Sequence, residues 1–138
     1  MKARVIQREN FMRVQTPEII VIDDDVIMQR LVMSVLTRTG YQVRVAGDVA
    51  RGLALIEERM PDLVLCDMAM PVQSGMDFLR ACRASDRLCA LPVVIISSVS
   101  DEKNVREALE LGAVAHISKP FSQAQLLQVV ANNLGPKS

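Results

Sequence analysis

The chain has 138 residues, 16 basic and 16 acidic, with half of its residues apolar and only one Tyr and three Phe. A single domain of this size can bury a core without disulfides or structural metals, and a neutral, aromatic-poor chain with no basic stripe does not read as an electrostatic nucleic-acid binder. Its apolar runs, such as Leu63 to Cys66 and Leu91 to Ile96, are too short to span a bilayer, and Met1 to Gln15 lacks the apolar centre of a signal peptide, so a cytoplasmic protein without membrane contact is expected.

The leading segment, Met1 to Pro17, holds Lys2, Arg4, Arg8 and Arg13 against a single Glu9 and reads as a tail or an added helix. The first strand is predicted at Glu18 to Ile22 and ends on three adjacent carboxylates, Asp23, Asp24 and Asp25. Asp25 is placed to cap the first helix, whose predicted apolar stripe is Ile27, Leu31 and Val35 and whose end is marked by Gly40. A second strand at Gln42 to Ala46 leads through Asp48, a second cap, to a stripe of Val49, Leu53 and Ile56.

Pro61 precedes a third strand at Asp62 to Cys66, which ends at Asp67, and the following helix carries Phe78, Leu79 and Cys82. A fourth strand at Pro92 to Ile96 leads to Ser97, then to Ser100 or Asp101 as a cap, a stripe of Val105, Ala108 and Leu109, and Gly112 past the helix end. The fifth strand, Val114 to Ile117, leads to Lys119, and the last helix carries Leu126, Val130 and Leu134. The chain thus divides into a lead at 1–17, one domain at 18–134 and a tail at 135–138. Cys66, Cys82 and Cys89 show no CxxC spacing and read as reduced core thiols.

Strand and helix alternate five times, and the first, third and fourth strands are almost continuously apolar, as central strands covered on both faces must be. Parallel strands joined by right-handed helical crossovers make a three-layer α/β domain, whose ligands sit beyond the carboxyl ends of the strands. Those ends deliver Asp23, Asp24, Asp67, Ser97 and Lys119 to one rim. Converging carboxylates are poorly tolerated unless a cation joins them, and oxygen ligands without histidine or cysteine favour Mg²⁺ or Mn²⁺. A hydroxyl and an ammonium at the same rim can hold phosphoryl oxygens while a carboxylate acts as nucleophile, which describes phosphoryl transfer to an aspartate.

At this point the sequence resembles the response-regulator receiver family, the CheY-like phosphoacceptor domains of two-component signalling. The resemblance covers Glu18 to Leu134 and rests on VIDDD, on DMAMPVQSG (Asp67, Met70, Pro71 and Gly75 matching D-x-x-M-P-x-x-x-G), on the hydroxyl after LPVVII, and on SKPF (Lys119, Pro120, Phe121). It implies a flavodoxin-like (βα)5 doubly wound sheet of strand order 2-1-3-4-5. It implies that Asp67 accepts the phosphoryl group, that Asp24 binds Mg²⁺ directly and Asp23 through a water, and that the Ala69 carbonyl completes the protein's share of the shell. Lys119 would pair with Asp67, and Ser97 would move to the acyl phosphate. The implied partners are a sensor histidine kinase or histidine phosphotransfer protein and a downstream protein target on the face of the fourth helix, fifth strand and fifth helix, with no direct nucleic-acid contact.

Several residues depart from the family pattern. His116 stands where a Tyr or Phe switch residue is usual, so a related rotation with a pH dependence is one reading and a half-exposed histidine without a role is the other. Ser97 replaces the commoner Thr, and Ser98 the usual Ala or Gly. Ala69 and Val99 are apolar where many receivers carry polar groups, from which slow self-dephosphorylation is expected. The last helix carries Gln123, Gln125, Gln128, Asn132 and Asn133 but no charge, so an ion-paired dimer face is not expected, and a single-domain regulator acting through contacts is. Two alternatives stand beside this reading. One is a haloacid-dehalogenase-like phosphatase with Asp23 and Asp25 as its DxD pair and Ser97 and Lys119 as its later hydroxyl and lysine. The other is a phosphorelay intermediate without a target of its own.

Overall fold

Ile, Val and Leu fill the middle of the sheet because both of its faces are covered by helices, and β-branched side chains pack well on a pleated surface. The computed structural model describes residues 16–98 and 101–134. The expected lead up to residue 15, the tail at 135–138, the Ser100 cap and the Val99 position lie outside the described residues. In chain order the elements are β1 (Glu18–Ile22), α1 (Val26–Thr39), β2 (Gln42–Ala46), α2 (Val49–Glu58), β3 (Leu63–Asp67), α3 (Gly75–Arg83), β4 (Val93–Ser97), α4 (Glu102–Glu110), β5 (Ala115–Ser118) and α5 (Gln123–Leu134). All pairings are parallel, in the order β2-β1-β3-β4-β5. The expected doubly wound α/β fold and its strand order are therefore observed, with β1, β3 and β4 central and wholly buried.

Alternate residues of the central strands face two separate cores. Ile20, Ile22, Val64, Cys66, Val93 and Ile95 pack against α2, α3 and α4, while Ile19, Val21, Leu63, Leu65, Val94 and Ile96 pack against α1 and α5. Helix ends follow the anticipated chemistry. The Asp25 carboxylate accepts from the N–H groups of Ile27 and Met28, that of Asp48 accepts from Arg51, and Gly40 and Gly112 take the left-handed φ of 109° and 99° that closes a helix. Two further caps are present: Ser74 and Asp77 form a reciprocal box at α3, and Ser122 and Gln125 another at α5. Gly75 is a close-approach glycine. A Cβ there would stand 2.8 Å from the Asp67 carbonyl oxygen, so its absence lets α3 start directly against the end of β3.

Five expectations need correction. Strands β3, β4 and β5 each start and end one residue later than predicted; Asp62, Pro92 and Val114 lie just outside them, and Asp62 instead accepts the Glu18 N–H through its carboxylate at 2.8 Å. The inward stripe of α1 is Val32, Val35 and Leu36, flanked by the half-buried Met28, whereas Ile27 is 79% exposed. Apolar residues at 26–28, 31–33 and 35–36 allow two helical phases, and only the sheet chooses between them. On α4, Val105 and Ala108 are buried but Leu109 is exposed. Asp101 makes no side-chain bond to its own helix and accepts instead from Ser98 N–H and Oγ, both at 3.0 Å. Cys66 and Cys82 are core thiols, while Cys89 is exposed.

Candidate functional site

The carboxyl ends of β1, β3, β4 and β5 meet at one rim. Asp23 follows β1, its N–H donating to the Ala46 carbonyl at 3.0 Å, and it is fully buried. One of its carboxylate oxygens, Oδ1, accepts the Asp25 N–H at 2.9 Å; the other, Oδ2, is buried with no hydrogen-bond partner among the described residues. Burial pushes the Asp23 carboxyl above its ordinary range, the Asp25 N–H opposes the shift, and the Asp67 charge adds to it.

Asp67 is the last residue of β3 and is also buried. Lys119, just past β5, brings its Nζ to 3.0 Å from Asp67 Oδ1. Burial drives the Asp67 carboxyl upward and outweighs the Lys119 ammonium, which pulls it down. For Lys119, desolvation lowers the ammonium, yet its hydrogen bond to Asp67 and the surrounding carboxylates leave it raised overall. Asp24 is exposed, and one oxygen from each of Asp23, Asp24 and Asp67 lies within 4.8 Å of the others. Three convergent hard oxygens suit an octahedral divalent cation such as Mg²⁺ or Mn²⁺, and the orphaned Oδ2 of Asp23 belongs to one of the three carboxylates.

Ser97 closes β4 and is 1% exposed, and its Oγ has no partner among the described residues. The Lys119 N–H donates to the Ser97 carbonyl at 2.7 Å, so the β4–β5 ladder puts hydroxyl and ammonium on neighbouring rungs. The Lys119–Pro120 bond is cis. Ala69 lies two residues past Asp67 in the loop before α3, exposed. His116 sits in mid β5 opposite Ile95 with its side chain exposed; with Ser97, Val105 and Leu109 it lines a cavity of about 420 Å³ beneath α4. Ser97 and His116 are thus walls of one cavity. Asp25, needed in the site by the phosphatase alternative, is turned onto the helix backbone.

One contact left no trace in the sequence. The side-chain amide of Gln29, in α1, reaches back to the carbonyls at the ends of β1 and β2. Nothing distinguishes Gln29 from any polar residue of an amphipathic helix until those strand ends are seen beside it. Val26, Ile27 and Leu31, on the same helix, leave an exposed apolar strip next to the rim.

The family description for the response regulator receiver domain matches residues 19–131. The chain is 30% identical over 121 residues to the phosphate regulon transcriptional regulatory protein PhoB of Pseudomonas aeruginosa, with 86% of this chain and 53% of PhoB covered. It is 34% identical over 116 residues to the DNA-binding response regulator MtrA of Mycobacterium tuberculosis, with 84% of this chain and 50% of MtrA covered. The chain spans about half the length of these curated relatives. Among solved structures, the receiver domain of NtrX from Brucella abortus superposes with a TM-score of 0.79 at 32% identity, covering 84% of this chain and 97% of that one. With a five-stranded 2-1-3-4-5 sheet and a carboxylate and lysine rim at its carboxyl edge, the chain belongs to the response-regulator receiver family of two-component signalling.

Proposed function

We propose that Asp67 is a phosphoacceptor: one of its carboxylate oxygens attacks the phosphorus of a phosphohistidine on a sensor kinase or phosphotransfer protein. The new P–O bond forms as the donor's P–N bond breaks, and the electron pair leaves with the imidazole. The observation that carries this reading is the buried Asp67 carboxylate held at 3.0 Å by Lys119 beside two further acids. Asp23, Asp24, Asp67 and the carbonyl of Ala69 would hold Mg²⁺ or Mn²⁺, which when bound neutralises charge on the entering phosphoryl group.

Lys119 orients the Asp67 carboxylate at rest and meets phosphoryl oxygens afterwards. The buried, unpartnered Ser97 hydroxyl is a donor in reserve for the same oxygens, and its movement opens space that His116 can enter from the shared cavity. A group of about −1.5 to −2 charge at the rim then favours whichever conformation offers it more donors, and the surface of α4, β5 and α5 changes for a protein target. The apolar side chain of Ala69 supplies no group to orient a hydrolytic water, so the phosphoryl group is retained.

The expectation of no direct nucleic-acid contact has no support from the relatives, since MtrA is named as a DNA-binding regulator; the proposal concerns receiver chemistry alone. No described helix is long and apolar enough to cross a membrane. The test is incubation with Mg²⁺ and a small acyl phosphate, read by intact mass. One phosphoryl group per chain, absent from Asp67→Asn, supports the reading. Labelling of Asp67→Asn as in the parent, or sustained turnover of a phosphomonoester, overturns it.

A further inference from the structure

Two backbone carbonyls, those of Asp23 and Ala46, converge at the rim. The Ala46 oxygen, ending β2, takes the Asp23 N–H at 3.0 Å, and the Asp23 oxygen, one residue past β1, points into the start of α1. Gln29 Nε2 donates to Asp23 O at 2.5 Å and stands 3.5 Å from Ala46 O. The amide orientation is set by its partners, because both are acceptors and only the nitrogen end can face them. Gln29 itself is locked in the first turns of α1 by its N–H bond to Asp25 O at 2.9 Å, and its amide lies 3.8 Å from where a Cβ on Gly47 would stand.

The Asp23 carbonyl belongs to the peptide that joins Asp23 to Asp24. Fixing that peptide places the Cα from which the exposed Asp24 side chain springs, while the Asp25 N–H separately fixes the Asp23 carboxylate. A neutral donor suits the position. An ammonium or guanidinium there would compete for the acids, and an apolar side chain would leave the Asp23 carbonyl of a half-buried turn without its donor.

We infer that Gln29 is a positioning residue for the acidic rim, setting its affinity for a divalent cation by holding the Asp23–Asp24 peptide from behind. This rests on the phosphoacceptor reading only for the identity of the cation. Groups that orient metal ligands without touching the metal typically carry about 10- to 100-fold in affinity.

The experiment compares Gln29→Met, which keeps length and removes the donor, with Gln29→Asn, which stays polar but is too short to reach. Mn²⁺ affinity is read by electron paramagnetic resonance, melting in EDTA by circular dichroism, and acyl-phosphate labelling is titrated with Mg²⁺. The expected result is Mn²⁺ and Mg²⁺ binding weakened about tenfold in both variants, with the labelling rate at saturating Mg²⁺ within about twofold of the parent. Parent-like affinity in a folded variant of either kind overturns the inference, as does a loss of saturating rate with affinity unchanged. If the parent chain binds no Mn²⁺, the underlying phosphoacceptor reading fails first; if the parent binds it and Asp24→Asn does not, that reading stands and the Gln29 variants decide this one.

Discussion

Asp23→Asn should stabilise the protein in EDTA and lose that advantage in Mg²⁺. Asp23 is fully buried, one of its oxygens has no partner among the described residues, and it shares a 4.8 Å cluster with Asp24 and Asp67. At an effective dielectric of about 20, two unit charges 4.8 Å apart repel by about 3.5 kcal/mol. Lys119 offsets the larger share and solvent screens the exposed Asp24, leaving a net gain on neutralisation of about 1–2 kcal/mol, or roughly 3–8 °C in melting temperature. The substitution keeps the acceptor for the Asp25 N–H. Thermal melts in EDTA and in excess Mg²⁺ provide the assay. Binding at 100 times its dissociation constant should add about 2.7 kcal/mol to the parent and distinctly less to the variant. The sign with pH follows from burial, which raises the folded-state carboxyl above 3.8. The folded parent therefore takes up its proton before the unfolded chain does, and its deficit shrinks as pH falls through the folded value toward 3.8. A variant less stable than the parent in EDTA, or an equal Mg²⁺ increment in both, would refute the claim that this acid is held against repulsion.

Other consequences are as direct. Lys119→Met removes the ion-pair partner that Asp67 has among the described residues, so acyl-phosphate labelling at saturating Mg²⁺ should fall at least tenfold while Mn²⁺ binding persists; unimpaired labelling would remove Lys119 from the chemistry. Gly75→Ala puts a methyl 2.8 Å from the Asp67 carbonyl oxygen and 3.1 Å from Met68 Cα, and backbone cannot yield as a flexible side chain can. A loss of about 1–3 kcal/mol by urea unfolding, with weakened Mn²⁺ binding, is expected. Glu18→Gln should lower the melting temperature at neutral pH, by a margin that shrinks as pH falls below 4.5. Burial raises the Glu18 carboxyl, but Arg59 at 2.7 and 2.9 Å and Arg44 at 2.5 Å outweigh it and hold it below 4.5. Its contribution is complete above that value and is lost as pH falls through the lower folded-state one.

The sheet was legible because burial on two faces leaves a run of apolar residues that alternation cannot imitate, as in Ile19 to Ile22 and Val93 to Ile96. The convergence of Asp23, Asp24, Asp67, Ser97 and Lys119 was legible for a related reason: parallel strands put all their carboxyl ends on one side. What stayed hidden depends on partners far apart in the chain. Glu18 is followed by apolar residues and gives no sign of the Arg59 it binds 41 positions later. The phase of α1 was ambiguous because its apolar residues nearly encircle it, and Leu109 was assigned inward for want of any view of the cavity below it. The two capping boxes, by contrast, are local and readable as S-x-x-D at Ser74 and S-x-x-Q at Ser122.

Helix α4 is lightly held. It buries only Val105 and Ala108, has no side-chain cap on its own backbone, and stands over a void of about 420 Å³ that reaches Ser97. Cooperative opening costs least where apolar anchorage is thinnest. Native-state amide exchange should therefore run faster along α4 than along α1 or α2, marking it as the segment that a chemical event at the rim can shift with the least work.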